Sequence, residues 1–101
     1  MAGQVGEAVE VRRTLRICNK LGLHARAAVK FVQLAGKFQS EISVGRNGQD
    51  ANGKSIMGLL TLVAAWGTDI EVAAVGPDAT EAVEALAALI NRGFDEGAVD
   101  A

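Results

Sequence analysis

Residues 69–92 read DIEVAAVGPDATEAVEALAALINR, and this stretch contains the clearest signals of the fold. Its first part alternates in hydrophobicity, which is the period of a strand with one buried face. Gly76-Pro77 ends this predicted strand, because proline cannot donate a hydrogen bond to a strand ladder. The alternating positions are Ile70, Glu71, Val72, Ala73 and Ala74.

A helix is predicted directly after this strand. Residues 78–81, DATE, have the spacing of a capping box with Asp78 in the position usually held by serine. Apolar residues then recur on one helical face until Gly93, a residue type that favours helix ends. The face consists of Val83, Leu86, Ala87 and Ile90.

Two further elements are predicted in the first third of the chain. Residues 11–19 alternate like a half-buried strand, with Leu15 and Ile17 on the apolar side. A helix is expected to start near His24 and to end at Gly36. Its apolar face is formed by Ala28, Phe31, Val32 and Ala35.

The middle of the chain predicts a hairpin and a helix. Residues 41–44 alternate, and Asn47-Gly48 tolerates the positive φ angles of a tight turn before a weaker strand at residues 49–52. The Ser55 hydroxyl can accept from the free N–H groups of a helix that opens at Ile56. We expect this helix to end by Trp66-Gly67.

The predicted order of elements is βαββαβα, an α+β fold. The alternating strands each have one solvent-exposed face, and the helices each have an apolar face that must be buried. A four-stranded antiparallel sheet with three helices on one face meets both requirements. Ferredoxin-like domains have a similar order of elements, and periodicity alone does not separate the two strand arrangements.

The length and composition indicate a single domain with no polyanion-binding role. The chain has 101 residues, half of them hydrophobic, and a formal net charge of −2, which does not favour nucleic-acid binding. We assign residues 10–95 to the domain, residues 1–9 to a flexible N-terminal extension and residues 96–101 to a flexible tail.

The cysteine count and the apolar segments exclude other classes. Cys18 is the single cysteine, so no intramolecular disulfide or structural zinc site is expected, and it is interpreted as a small packing residue. Residues 1–7 lack the segments of a secretory signal, which favours a cytoplasmic location. The apolar residues 56–66 are about half as long as the roughly 20-residue span of a bilayer, so no membrane insertion is expected.

His24 is the strongest candidate for chemistry. It lies at a junction between a turn and a helix, where free N–H groups and the helix dipole favour an anion such as a phosphoryl group and disfavour an imidazolium. Arg26 can offer its guanidinium to phosphate oxygens, and Gly22 allows a sharp turn just before the site. The alternative is that His24 is an ordinary surface residue or helix cap and Arg26 a solvated charge.

Two motifs carry a resemblance to a known family. Residues 19–28 read NKLGLHARAA and residues 52–60 read NGKSIMGLL. Together they resemble the histidine-containing phosphocarrier protein HPr of the phosphoenolpyruvate:sugar phosphotransferase system, over about residues 10–95. The opening NKLG and residues 91–96, NRGFDE, resemble the nitrogen-related branch called NPr, whereas residues 54–58, KSIMG, resemble HPr proteins with a regulatory serine. The branch therefore stays open.

The resemblance implies an HPr-like open-faced β-sandwich that carries a phosphoryl group on Nδ1 of His24. Arg26 matches the arginine that stabilises the phosphate, and Ser55 matches the serine that a dedicated kinase modifies in some members. Ala27 stands where the family usually has proline. The side chains implied in partner docking are Leu23, Ala27, Ile56, Met57 and Leu60; among their neighbours we expect Leu59 and Leu62 to be buried and Met57 exposed.

The partners implied by the resemblance are enzyme I as phosphoryl donor and EIIA-type proteins as acceptors. An HPr serine kinase/phosphorylase is a further implied partner. We expect a monomer that needs neither cofactor nor metal and has no enzymatic turnover of its own. The alternative function is a regulatory protein-binding module of the same fold without covalent chemistry.

Overall fold

The computed structural model describes residues 9–96 and contains all seven expected helices and strands. The predicted extension and tail fall mostly on residues 1–8 and 97–101, which lie outside the described residues. The elements are β1 Val9–Arg16, α1 Ala25–Ala35, β2 Glu41–Arg46, β3 Gln49–Asn52, α2 Ile56–Leu60, β4 Asp69–Gly76 and α3 Ala79–Asn91, followed by a 3-10 turn at Gly93–Asp95.

The four strands form one antiparallel sheet in the order β1-β4-β2-β3. The central strand β4 runs beside β1 from the Val9–Gly76 pair to the Arg16–Asp69 pair, and beside β2 on its other side. The predicted fold, a four-stranded antiparallel sheet with helices on one face, is confirmed. Periodicity alone had left open whether the strands are arranged as in this sheet or as in a ferredoxin-like domain, and the observed strand order decides this question.

The core lies between the sheet and the helices. The α1 face and the α3 face both contribute fully buried side chains, as their apolar periodicity predicts. Each fully buried leucine, isoleucine or phenylalanine contributes roughly 1.5–3 kcal/mol relative to an exposed one. The largest apolar side chains in this core are Phe31, Phe94, Ile17, Leu59, Leu62, Ile70, Leu86 and Ile90.

One predicted boundary is wrong, and one helix is shorter than its expected limit. Strand β1 ends at Arg16 and not at residue 19, although Ile17 still exchanges backbone hydrogen bonds with the chain at residues 67–68. Helix α2 ends at Leu60, before the limit of Trp66-Gly67 that was expected from the sequence. The chain leaves the helix through Val63, at φ 50°, which frees the Ala64 carbonyl to accept from the Leu23 N–H at 2.9 Å. This tertiary bond accompanies the end of the helix within the apolar run, several residues before Trp66.

The capping box predicted for Asp78 is also wrong. Asp78 makes no side-chain bond to its own helix. Its carboxylate accepts from the Gln39 N–H, the Ser40 N–H and the Ser40 hydroxyl, at 2.9, 2.9 and 2.6 Å. The Ser40 hydroxyl bond, followed by the Gln39 bond, lowers the pKa of Asp78. Asp78 therefore joins α3 to the loop before β2.

Cys18 differs from its expected role as a small packing residue. The side chain is exposed, and its thiol lies 3.2 Å from the Ile90 carbonyl oxygen at the end of α3. Because thiols are weak donors, this contact contributes little to the packing of the segment after β1 against α3.

Candidate functional site

His24 lies at the N-terminus of α1, where the preceding loop holds it. Gly22 has φ +71°, and a Cβ atom there would lie 2.6 Å from the Ala64 carbonyl oxygen, so both the backbone angle and the space require glycine. The Leu23 N–H bonds to this same carbonyl. His24 is the N-cap residue, and its Nδ1 accepts from the Arg26 N–H at 3.3 Å. One ring nitrogen therefore faces the free N–H groups of the first helical turn.

The other ring nitrogen of His24 contacts a carboxylate. Nε2 lies 2.5 Å from Oε2 of Glu96, and the two side chains are 26% and 14% exposed. The second oxygen, Oε1, accepts from Nδ2 of Asn19 at 3.1 Å, and the same Nδ2 donates to the Gly22 carbonyl at 2.8 Å. Burial alone would raise the pKa of Glu96, but the bonds from His24 and Asn19 outweigh it and lower that pKa.

A short C-terminal segment brings Glu96 to the site. Phe94 is fully buried at φ 57°, and its carbonyl accepts from Nζ of Lys30 on α1 at 2.7 Å. The Arg92 guanidinium pairs with Asp95 at 2.8 Å across the same turn. The buried aromatic ring and these two contacts fix the backbone next to Glu96, so its carboxylate is presented to His24.

Glu96 was not among the predicted site residues. Its predicted place was the flexible tail, whereas in the structure it contacts a side chain 72 positions earlier. The signal available in the sequence was the pair formed by Phe94, an apolar residue beyond the end of α3, and an acid two residues later. Local periodicity does not report such a long-range contact.

Arg26 and Ser55 are found at two different helix ends. The Arg26 side chain is exposed and makes no hydrogen bond or ion pair within residues 9–96, so its charge is available to an incoming anion. Ser55 caps α2 as predicted, and its Oγ accepts from the Gly58 N–H at 3.0 Å. Ser55 is half-buried.

The expected docking side chains divide into an exposed and a buried group. Met57 is 74% exposed and Ile56 is 37% exposed, whereas Leu60 packs partly against the core. Leu59 and Leu62 are buried, so the predicted burial of both and the exposure of Met57 are confirmed.

Leu23 and Ala27 are a correction to the expected docking set. Both side chains are buried, at 5% and 0% exposure, because they point into the core that α1 covers. Ala27 therefore offers no contact surface, and Leu23 contributes only to the wall of an apolar depression beside His24.

An apolar depression beside His24 was not predicted. It has a volume of about 270 Å³, and the exposed side chains Leu21 and Val63 stand at its edge. Its other lining residues are Leu23, His24, Leu60, Ala64 and Ala65. The site thus has an apolar side next to the imidazole and a cationic side at Arg26.

Two further observations on the described residues concern metal ligands and membrane-spanning helices. Within residues 9–96, no three His, Cys, Asp or Glu side chains come together as metal ligands. No helix in this range has the length and apolarity to cross a bilayer.

Comparison with known proteins identifies the family. A family model described as the PTS HPr component phosphorylation site matches residues 11–92. This chain belongs to the PTS HPr family. The phosphocarrier protein HPr of Neisseria meningitidis is 53% identical over 87 residues, which cover 86% of this chain and 98% of that protein.

Other relatives in the HPr family support both the assignment and the fold. The phosphocarrier protein NPr of Shewanella violacea is 42% identical over 87 residues, or 86% of this chain and 96% of that protein. The crystal structure of an HPr from Thermoanaerobacter tengcongensis superposes with a TM-score of 0.83 at 44% identity, covering 85% of this chain and 97% of that one. The HPr-like fold is therefore confirmed, and this HPr-family chain is a phosphocarrier protein with relatives in both branches.

Proposed function

We propose that this phosphocarrier accepts a phosphoryl group from enzyme I on Nδ1 of His24 and passes it to a histidine of an EIIA-type protein in the cytoplasm. The observation that carries the proposal is the position of His24 as the N-cap of α1, with Nδ1 facing the Arg26 N–H. The chain acts as a monomeric carrier with no turnover of its own, since the phosphoryl group enters and leaves at the same atom.

The surroundings of Nδ1 suit a transferred phosphoryl group. The first turn of α1 supplies unpaired N–H donors and the positive end of the helix dipole. The exposed Arg26 guanidinium adds a charge that can bind two phosphate oxygens. As the Nδ1 lone pair forms the new bond to phosphorus, the Arg26 N–H, now held at 3.3 Å by Nδ1, becomes a donor to the phosphate.

The exposed apolar side chains of α2 support a docking role. Ile56 and Met57 form a small apolar surface, and Leu60 lines the depression next to His24. A flexible methionine adapts to different partners, which suits a carrier that binds both its donor and its acceptor and releases each one. Enzyme I and the EIIA-type acceptor therefore use the same face in turn.

Ser55 is proposed as a regulatory phosphorylation site for an HPr serine kinase/phosphorylase. A phosphate there would add about −1.5 to −2 charges at the start of α2, directly beside the apolar side chains Ile56 and Met57. We expect Ser55→Asp to weaken binding to enzyme I severalfold, as measured by calorimetric titration. Unchanged affinity of the Ser55→Asp protein would contradict the regulatory role.

The alternative of a binding module without covalent chemistry is not favoured, because the family shown by the comparisons is one of phosphocarriers. The two functions are separated by intact-mass analysis after incubation with enzyme I and phosphoenolpyruvate. We expect the gain of one acid-labile phosphoryl group, and no gain in His24→Ala with an unchanged circular dichroism spectrum. A His24→Ala protein that still accepts the group from enzyme I would overturn the assignment.

A further inference from the structure

The hydrogen bonds around His24 determine which ring nitrogen carries the proton. The Arg26 N–H can only donate, so its contact of 3.3 Å favours a lone pair on Nδ1, although a bond of this length is weak. In the neutral imidazole the proton then resides on Nε2. There it is donated to Oε2 of Glu96 at 2.5 Å. The two contacts together select the tautomer in which Nδ1 is the nucleophilic nitrogen.

Asn19 fixes the orientation of the Glu96 carboxylate. Its side chain is almost fully buried, and its Nδ2 donates to both the Gly22 carbonyl and Oε1 of Glu96. The reversed amide would place its oxygen against these two acceptors, so the hydrogen bonds themselves assign the orientation. One Glu96 oxygen is thus committed to Asn19, and the other is directed at the imidazole.

We propose that Glu96 is a positioning residue for phosphoryl transfer: it keeps the proton on Nε2, leaves the Nδ1 lone pair free and pairs with the positive charge of the phosphorylated ring. This inference rests on the proposed role of His24 as acceptor. When the Nδ1 lone pair forms the N–P bond, the N–P bond of the donor histidine breaks and its electron pair returns to the donor nitrogen.

No proton has to move in this step. The Nε2 proton stays in its bond to Glu96 while the ring acquires the positive charge. At 14% exposure the carboxylate is only weakly screened by water, so it stabilises this charge more than a surface carboxylate would. The arrangement follows the same logic as an acid that orients a histidine in a hydrolase triad.

The substitution Glu96→Gln tests this role because the fixed amide of Asn19 determines the orientation of the new glutamine amide. Asn19 requires an acceptor, so the glutamine oxygen faces Asn19 and its NH₂ group faces the imidazole. That group donates to Nε2 and moves the ring proton to Nδ1, which removes the nucleophilic lone pair. Glu84→Gln is the matched control, since Glu84 is an exposed glutamate of α3 and the chemical change is the same.

The primary measurement is ¹⁵N NMR of the neutral His24 ring in the full unphosphorylated chain. We expect an unprotonated Nδ1 and a protonated Nε2 in the wild type and in Glu84→Gln. In Glu96→Gln we expect the reverse tautomer. We also expect this variant to accept the phosphoryl group from enzyme I about tenfold more slowly, or slower still. Glu96→Ala, which cannot donate to the ring, should show both tautomers and a smaller loss of rate.

Three results would contradict the inference. One is a Glu96→Gln protein that keeps the proton on Nε2 and accepts phosphate at the wild-type rate. Another is a Glu96→Ala protein that loses more activity than Glu96→Gln. The third is a wild-type protein that shows the expected tautomer but accepts no phosphoryl group, which would refute the proposed function and, with it, the part played by Glu96 in transfer.

Discussion

The N-termini of α1 and α3 both begin with an ionisable side chain, but the two side chains are used in opposite ways. Asp78 turns away from α3 and accepts three hydrogen bonds from Gln39 and Ser40. His24 stays with α1 and accepts one bond of 3.3 Å from the Arg26 N–H. The first group is saturated by donors from another loop, whereas the second keeps a nitrogen that a phosphoryl group can reach.

The side chains at the start of α3 are also more tightly packed than those at the start of α1. At α3, Ser40 is fully buried, and a Cβ atom at Gly76 would lie 2.5 Å from its hydroxyl oxygen. At α1, His24 is partly exposed and Arg26 is exposed. A close-packed helix end with several short hydrogen bonds stabilises the fold, while an open end with one long bond is suited to exchange of a ligand.

The substitution Asp78→Ala should produce the largest effect on stability. It leaves the Gln39 and Ser40 donors without their acceptor, and Ser40 is buried. We expect the melting temperature in thermal denaturation to fall by several degrees, while phosphoryl acceptance at a temperature where the protein is folded stays unchanged. An Asp78→Ala protein that loses phosphoryl acceptance but keeps its stability would contradict the structural role assigned to the start of α3.

Arg26→Ala should affect transfer and leave stability unchanged. The Arg26 side chain makes no bond within residues 9–96, so its removal costs the fold little. Loss of one charge-assisted contact to phosphate is worth about 1.5–3 kcal/mol, which corresponds to a roughly tenfold or greater decrease in the transfer rate. Rapid-quench measurement of phosphoryl acceptance checks this, with Arg13→Ala, an exposed arginine of β1, as the control. Equal rates for the two variants would rule out a role for the Arg26 charge.

The pH dependence of stability should report on Asp78, with a smaller effect. Since the folded-state pKa of Asp78 is lowered, the carboxylate contributes stability above its ordinary pKa near 4, and this contribution is lost as pH falls through the lowered value. We expect the wild type to lose more stability than Asp78→Asn between about pH 5 and pH 2 in urea denaturation. Parallel pH profiles for the two proteins would show that the carboxylate is not preferentially stabilised in its charged form.

The order and type of the elements could be predicted because the local patterns agree with the fold. Alternation around Ile70 and Val72 identifies β4, and the helical spacing of Phe31 and Ala35 identifies α1. Both patterns arise from one buried face, and that face is the core of the protein. The place of His24 at the start of α1 and the capping role of Ser55 could be predicted for a similar reason, since a helix start is marked by residues close in sequence.

The features that were missed all depend on contacts between distant parts of the chain. The end of α2 depends on the bond between Leu23 and Ala64, and the role of Asp78 depends on a loop 38 residues earlier. Glu96 reaches His24 across 72 residues through the buried Phe94. No local pattern contains these pairings, and tertiary contacts override the local preference at each of them.

The position of the phosphoryl group on the His24 ring tests the account most directly. In the proposed function Nδ1 receives the phosphoryl group, and the structure places Nε2 against Glu96 and Nδ1 against the Arg26 N–H. We expect ¹⁵N and ³¹P NMR of the phosphorylated, ¹⁵N-labelled protein to show phosphorus coupled to Nδ1 and a proton retained on Nε2. Phosphorus coupled to Nε2, the nitrogen that Glu96 occupies, would contradict the account of how this protein carries its phosphoryl group.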